Sequence, residues 1–85
     1  MYVVRSSEEV DEQIAQLPAD ALPALAELRT VLELNPWSGE PWVRRPPEAP
    51  MRSHVFGSAS GDGFVVYAVS ERDRLVDLLQ IIWLG

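Results

Sequence analysis

The feature that most constrains this chain is the punctuation of its second half. Three apolar-rich runs, Met51–Phe56, Phe64–Val69 and Leu75–Trp83, follow one another with Gly57-Ser-Ala-Ser-Gly-Asp-Gly63 and Ser70-Glu-Arg-Asp-Arg74 between them. Short β-prone runs separated by turn-forming residues spell an antiparallel meander. The third run is apolar at almost every position, as expected for a central strand covered on both faces. Residues before 35 read instead as helix, so an all-β fold is excluded and an α+β domain is expected.

Period-2 alternation divides the meander into faces. Met51, Ser53 and Val55 share one face of the first run, and Arg52, His54 and Phe56 share the other. Phe64, Val66 and Ala68 separate from Val65, Tyr67 and Val69 in the same way.

In the first half, Tyr2–Arg5 contains β-branched Val3 and Val4 and is a candidate first strand. Ser6 stands three residues before Glu9, the spacing of a capping box, so a helix is expected to start there. Val10, Ile14 and Leu17 fall on one face of it, four acids occupy its first turns, and Pro18 ends it. Asp20 is a suitable N-cap for a second helix, with Pro23 tolerated in the first turn. Leu22, Leu25, Leu28 and Leu32, with Ala26, form its apolar stripe, and Asn35-Pro36 stops it. The short link makes the two helices antiparallel, and a sheet is the natural surface for both to cover. The stretch 36–50 holds Pro36, Pro41, Pro46, Pro47 and Pro50 around Trp37 and Trp42 and reads as a stiff loop packed on the body. The expectation is a single domain over residues 1–85: two antiparallel helices on a four-stranded, mostly antiparallel sheet in the order β-α-α-β-β-β.

Composition narrows the chemistry. With 85 residues a core is possible but the stability margin is thin. The chain has no cysteine and one histidine, which excludes a disulfide framework and a thiolate nucleophile and argues against an all-protein zinc site. No metal or cofactor is expected. No apolar run reaches membrane-spanning length, and acids stand where a secretion signal would be apolar, so a cytoplasmic protein is expected. Residues 1–40 carry eight acids and two arginines, whereas residues 41–85 carry five of each. The whole net charge of −6 therefore lies on the helical half. Such a chain is repelled by nucleic acid at long range, although arginines on the strand half could touch phosphate.

The candidate site is the arginine cluster Arg44, Arg45 and Arg52, with His54 on the strand face of Arg52. Guanidinium groups present planar donors to phosphate, and an imidazole exchanges protons near neutral pH. RNA cleavage by its own 2′-hydroxyl needs these parts: a base, charge stabilisation and an acid for the leaving oxygen. The competing reading is a solvated edge strand whose charges discourage pairing. Glu40 and Glu48 flank the arginines and could act as bases, but isolated surface acids are commoner. Tyr67 could donate a proton or stack on a base, against the plainer reading of a half-buried strand tyrosine. The glycine turn 57–63 lacks the following helix of a phosphate loop and reads as a hairpin.

Asn35-Pro36-Trp37 with Gly39, Gly63-Phe-Val-Val-Tyr67-Ala-Val and Ile81-Ile-Trp-Leu-Gly85 resemble the helix-to-strand passage, third strand and last strand of the RelE/ParE toxin superfamily. The resemblance spans nearly the whole chain. It implies a small toxin of a toxin–antitoxin pair, neutralised by an antitoxin protein, with RelE-type members cutting messenger RNA on the ribosome and ParE-type members poisoning DNA gyrase. It places Arg45, Arg52, His54 and Tyr67 as the catalytic candidates. The chain departs from the pattern at Phe64, where the third strand of the family has a basic residue, and no C-terminal catalytic group follows the last strand. The alternative is therefore a catalytically degenerate member that binds a protein partner, or forms a homodimer through its final strand and tryptophans.

Overall fold

The computed structural model describes residues 1–41, 51–57 and 62–84. Seven elements follow one another: β1 (Val3–Ser6), α1 (Glu8–Ala15), α2 (Leu22–Leu34), β2 (Glu40–Pro41), β3 (Met51–Phe56), β4 (Gly63–Ser70) and β5 (Leu75–Trp83), with short 3-10 turns at Ala19–Ala21 and Pro36–Ser38. The sheet has five strands rather than four, in the order β1-β5-β4-β3-β2. The additional strand is the two-residue β2, which pairs Glu40 with Ser53 and Pro41 with Arg52. The sheet is mixed, because β1 runs parallel to β5 while the other pairs are antiparallel.

Local signals locate the helices with small shifts. Ser7, not Ser6, caps α1: its hydroxyl accepts the Val10 N–H at 3.3 Å, leaving Ser6 Oγ to bond the Asp11 carboxylate. Asp20 does not cap α2 but sits in the preceding 3-10 turn, and no side chain caps that helix. Helix α2 ends at Leu34, before Pro36, because the residue preceding a proline avoids helical backbone. Leu25, Leu28 and Leu32 are buried as the periodicity requires, whereas Leu22 and Ala26 face outward.

One face of the sheet carries the core. Tyr2, Val4, Val65, Tyr67, Val69, Val76 and Leu78 are buried there with Val10 of α1 and the leucines of α2. Strand β5 lies between β1 and β4, central as expected, but it is not covered throughout. Tyr67 pairs with Leu78 and Val66 with Gln80, so Leu79 is an extra residue in a β-bulge and is exposed along with Gln80. The bulge turns Ile81 and Trp83 back to the core face, and Gln13 of α1 accepts the Ile81 N–H at 2.8 Å. β5 pairs with β4 along its length and with β1 over Leu75–Leu78. At the β1 edge, Arg29 Nη2 donates to the Val4 carbonyl at 3.3 Å.

Candidate functional site

Strand β3 delivers the candidate side chains. Its register sets Arg52 opposite Tyr67, His54 opposite Val65 and Phe56 opposite Gly63. Opposed residues share a face, so Arg52, His54 and Tyr67 all lie on the core side, as alternation predicts. Proximity on a face does not make them equivalent, and each is held differently.

Tyr67 is fully buried, and its hydroxyl donates to the Pro36 carbonyl at 2.6 Å. Burial pushes its pKa above the usual tyrosine value, outweighing the Gly39 backbone and the Arg52 charge, which act in the other direction. A buried neutral phenol committed to a backbone carbonyl is a fastener, and neither a substrate proton nor a base can reach it. In this arrangement the Tyr67 hydroxyl is directed into the protein rather than toward solvent.

Arg52 is half-buried. Its Nη1 donates to the Gly39 carbonyl at 3.1 Å, and its guanidinium carbon lies 5.0 Å from the centre of the Trp37 ring. A guanidinium has five N–H donors, so this anchoring leaves others for an anion. Gly39 is required by space: a Cβ there would collide with the Tyr67 hydroxyl and lie 2.5 Å from the Ser53 carbonyl oxygen. Its φ of −78° is open to any residue.

His54 is half-exposed, and its Nδ1 lies 2.9 Å from the Val55 carbonyl. A carbonyl only accepts, so Nδ1 carries the proton in this contact. His54 borders a shallow cavity of about 260 Å³ lined by Ser38, Gly39, Glu40, Ser53 and Val55. Glu40 is on the same cavity as His54, while Arg52 is turned toward Trp37. Arg44, Arg45, Trp42 and Glu48 lie outside the described residues, as does most of the glycine turn. Among the described residues no group of three or more His, Asp or Glu side chains could hold a metal ion.

Sequence reasoning missed the hub next to this face. One Glu71 oxygen accepts both the Tyr2 hydroxyl at 2.6 Å and the Trp37 Nε1–H at 2.8 Å. Arg74 contacts the other oxygen at 3.3 Å and stacks on the Tyr2 ring. These hydrogen bonds, from Tyr2 and Trp37 above all, hold the Glu71 carboxyl below its usual pKa. The donors come from positions 69 and 34 residues away, which no local spacing reveals.

No protein-family model matches the chain, and no curated protein does. Among solved structures it is similar to a chain of the archaeal RelE-RelB complex from Pyrococcus horikoshii OT3, at 21% identity and a TM-score of 0.67. The superposition covers 99% of this chain and 96% of that one. At this identity the likeness speaks for architecture alone, and it does so from end to end: the chain has a RelE-like fold.

Proposed function

We propose that this chain is the RelE-like member of a toxin–antitoxin pair, is bound by an antitoxin protein, and works through protein contacts rather than as an efficient nuclease. The observation that carries the first part is the end-to-end likeness to a chain solved as a RelE-RelB complex. The second part follows from the site. Tyr67 is sealed under the Pro36–Ser38 turn, Arg52 is braced by Gly39 and Trp37, and the helical half carries the whole net charge of −6. These features disfavour approach of a polyanion to a working acid–base pair.

A second reading, messenger RNA cleavage on the ribosome, is favoured by one observation: Arg52 and His54 share a face of β3, and both keep partial solvent access. In that reading Arg52 holds phosphate and His54 exchanges the proton.

Expression from a tight promoter separates the two. The proposal expects no growth arrest, intact messenger RNA, and a stable complex with the product of an adjoining short reading frame on size-exclusion chromatography. Arrest with cleaved messenger RNA, relieved in an Arg52→Ala/His54→Ala double variant, would replace it with the nuclease reading.

A further inference from the structure

Both helices pack on one face of the sheet, through Val10 of α1 and Leu25, Leu28 and Leu32 of α2. Among the described residues no helix lies on the other face. Alternation gives that outer face Val3 and Arg5 of β1, since Val4 between them is buried in the core. The register adds their partners Leu75 and Asp77 of β5. Leu79 joins them, because the bulge sets it beside Gln80 opposite Val66.

The outer face is not equally open. On its β4 side Val66 is buried and Phe64 half-buried. On its β1–β5 side Val3 is 61% exposed and Leu79 43%, and the Arg5 and Asp77 side chains both meet solvent. The accessible patch is therefore the one carried by β1 and β5.

The charges of this patch are self-complementary. Arg5 donates through Nε and Nη2 to the two oxygens of Asp77, so a cation and an anion stand side by side on parallel strands. Val3 and Leu75 form the next row of the same face. A two-fold axis running along the strands, midway between β1 and β5, lays β1 of one copy over β5 of the other. Cross-strand partners sit at the same height, so the axis sets Arg5 over Asp77 twice and Val3 over Leu75 twice. The four charges then alternate in sign around a square. Packed sheets lie about 10 Å apart, a gap that an arginine and an aspartate side chain together can bridge.

Net charge selects the occupant. The patch is neutral, whereas the helical half carries the whole net charge of −6. Sheet-to-sheet packing leaves the acidic helices on the two outsides of the pair, farther apart than the Debye length of about 8 Å at physiological ionic strength. Arg5, already neutralised by Asp77, has little to offer a nucleic acid. We propose that the outer faces of β1 and β5 join two copies of this chain, sheet to sheet, in a two-fold dimer. This surface is separate from the arginine and histidine face of β3, and the inference does not depend on the toxin–antitoxin reading. The patch is small, so the dimer is weak and forms with rising concentration.

Sedimentation equilibrium of the full chain between about 1 μM and about 1 mM tests this, and the parent is expected to pass from monomer to dimer within that range. Val3→Glu, at an exposed position, is expected to weaken the dimer at least about tenfold. Arg5→Asp or Asp77→Arg alone stacks like charges and is expected to do the same. An equal mixture of those two single variants is expected to form the mixed dimer, and the double variant Arg5→Asp/Asp77→Arg to recover the parent's behaviour. Exposed ion pairs contribute little to folding, so the charge variants keep the test alive if Val3→Glu does not fold. A parent that stays monomeric throughout would overturn the proposal. So would self-association unchanged in all of these variants, single variants that do not combine, or concentration-dependent amide shifts confined to α2 or β3. Shifts of the Val3 and Leu79 amides caused only by the product of an adjoining reading frame would assign the patch to that partner and end the two-copy proposal.

Discussion

The Tyr67 hydroxyl donates a 2.6 Å hydrogen bond to the Pro36 carbonyl, joining the middle of β4 to the turn that ends α2. Tyr67 is one of the largest fully buried side chains, so this bond lies where water cannot replace it. It pins the Pro36–Ser38 turn to the sheet and thereby positions Trp37 and Gly39, the two residues that brace Arg52.

Tyr67→Phe keeps the ring but leaves the Pro36 carbonyl without its donor. The expected loss is about 1–3 kcal/mol in urea unfolding at neutral pH. The sign with pH is also set. Burial raises the folded-state pKa above the usual 10.0, so the neutral phenol's contribution is complete below that value. It disappears as pH climbs through the higher folded value. The stability gap between parent and Tyr67→Phe should therefore close in alkali, above pH 10.0.

Gly39→Ala should destabilise the fold by about 1–3 kcal/mol, since the new methyl meets the Ser53 backbone and the Tyr67 hydroxyl. Neither can retreat without breaking the β2–β3 pairing or the Tyr67–Pro36 bond. Thermal melting of Gly39→Ala beside Ser38→Ala checks this, with the serine variant close to the parent.

Glu71 makes the Trp37 environment sensitive to acid. Its folded-state pKa is depressed, so its contribution is present above the ordinary carboxylate value of 4.5 and is lost as pH falls through the lower folded value. The Trp37 indole N–H resonance should hold its position down to pH 4.5 and move below it. In Glu71→Gln that acid step should vanish, and a step of unchanged size would show that another carboxylate controls Trp37.

Gln13→Ala removes the acceptor for the Ile81 N–H beside the β-bulge. A part-buried donor without a partner should cost about 1–2 kcal/mol. Amide exchange at Ile81 should accelerate more than exchange at Val76, which lies on the same strand away from the bulge. Uniform acceleration of both would indicate global destabilisation only.

Much of the architecture was legible because it is written in local periods. The leucine spacing and Asn35-Pro36 placed α2, and alternation correctly put Arg52, His54 and Phe56 on one face of β3. The misplacements have local causes too. Ser6 and Ser7 are adjacent hydroxyls near a helix start, and only the bond from Val10 N–H distinguishes them. β2 is two residues long, too short to show any period.

Residue order alone determined that this chain would be two helices and a meander of one domain's size, because helical and strand periodicities, prolines and turn residues act over a few neighbours. Tertiary structure alone decided which side chains are free to act. The parallel pairing of β1 with β5, the meeting of Tyr2 and Trp37 on Glu71 and the bonding of Tyr67 to Pro36 all join residues far apart in the chain. Contacts of that kind depend on how the helices and sheet close over one another, a geometry that no short stretch of sequence encodes.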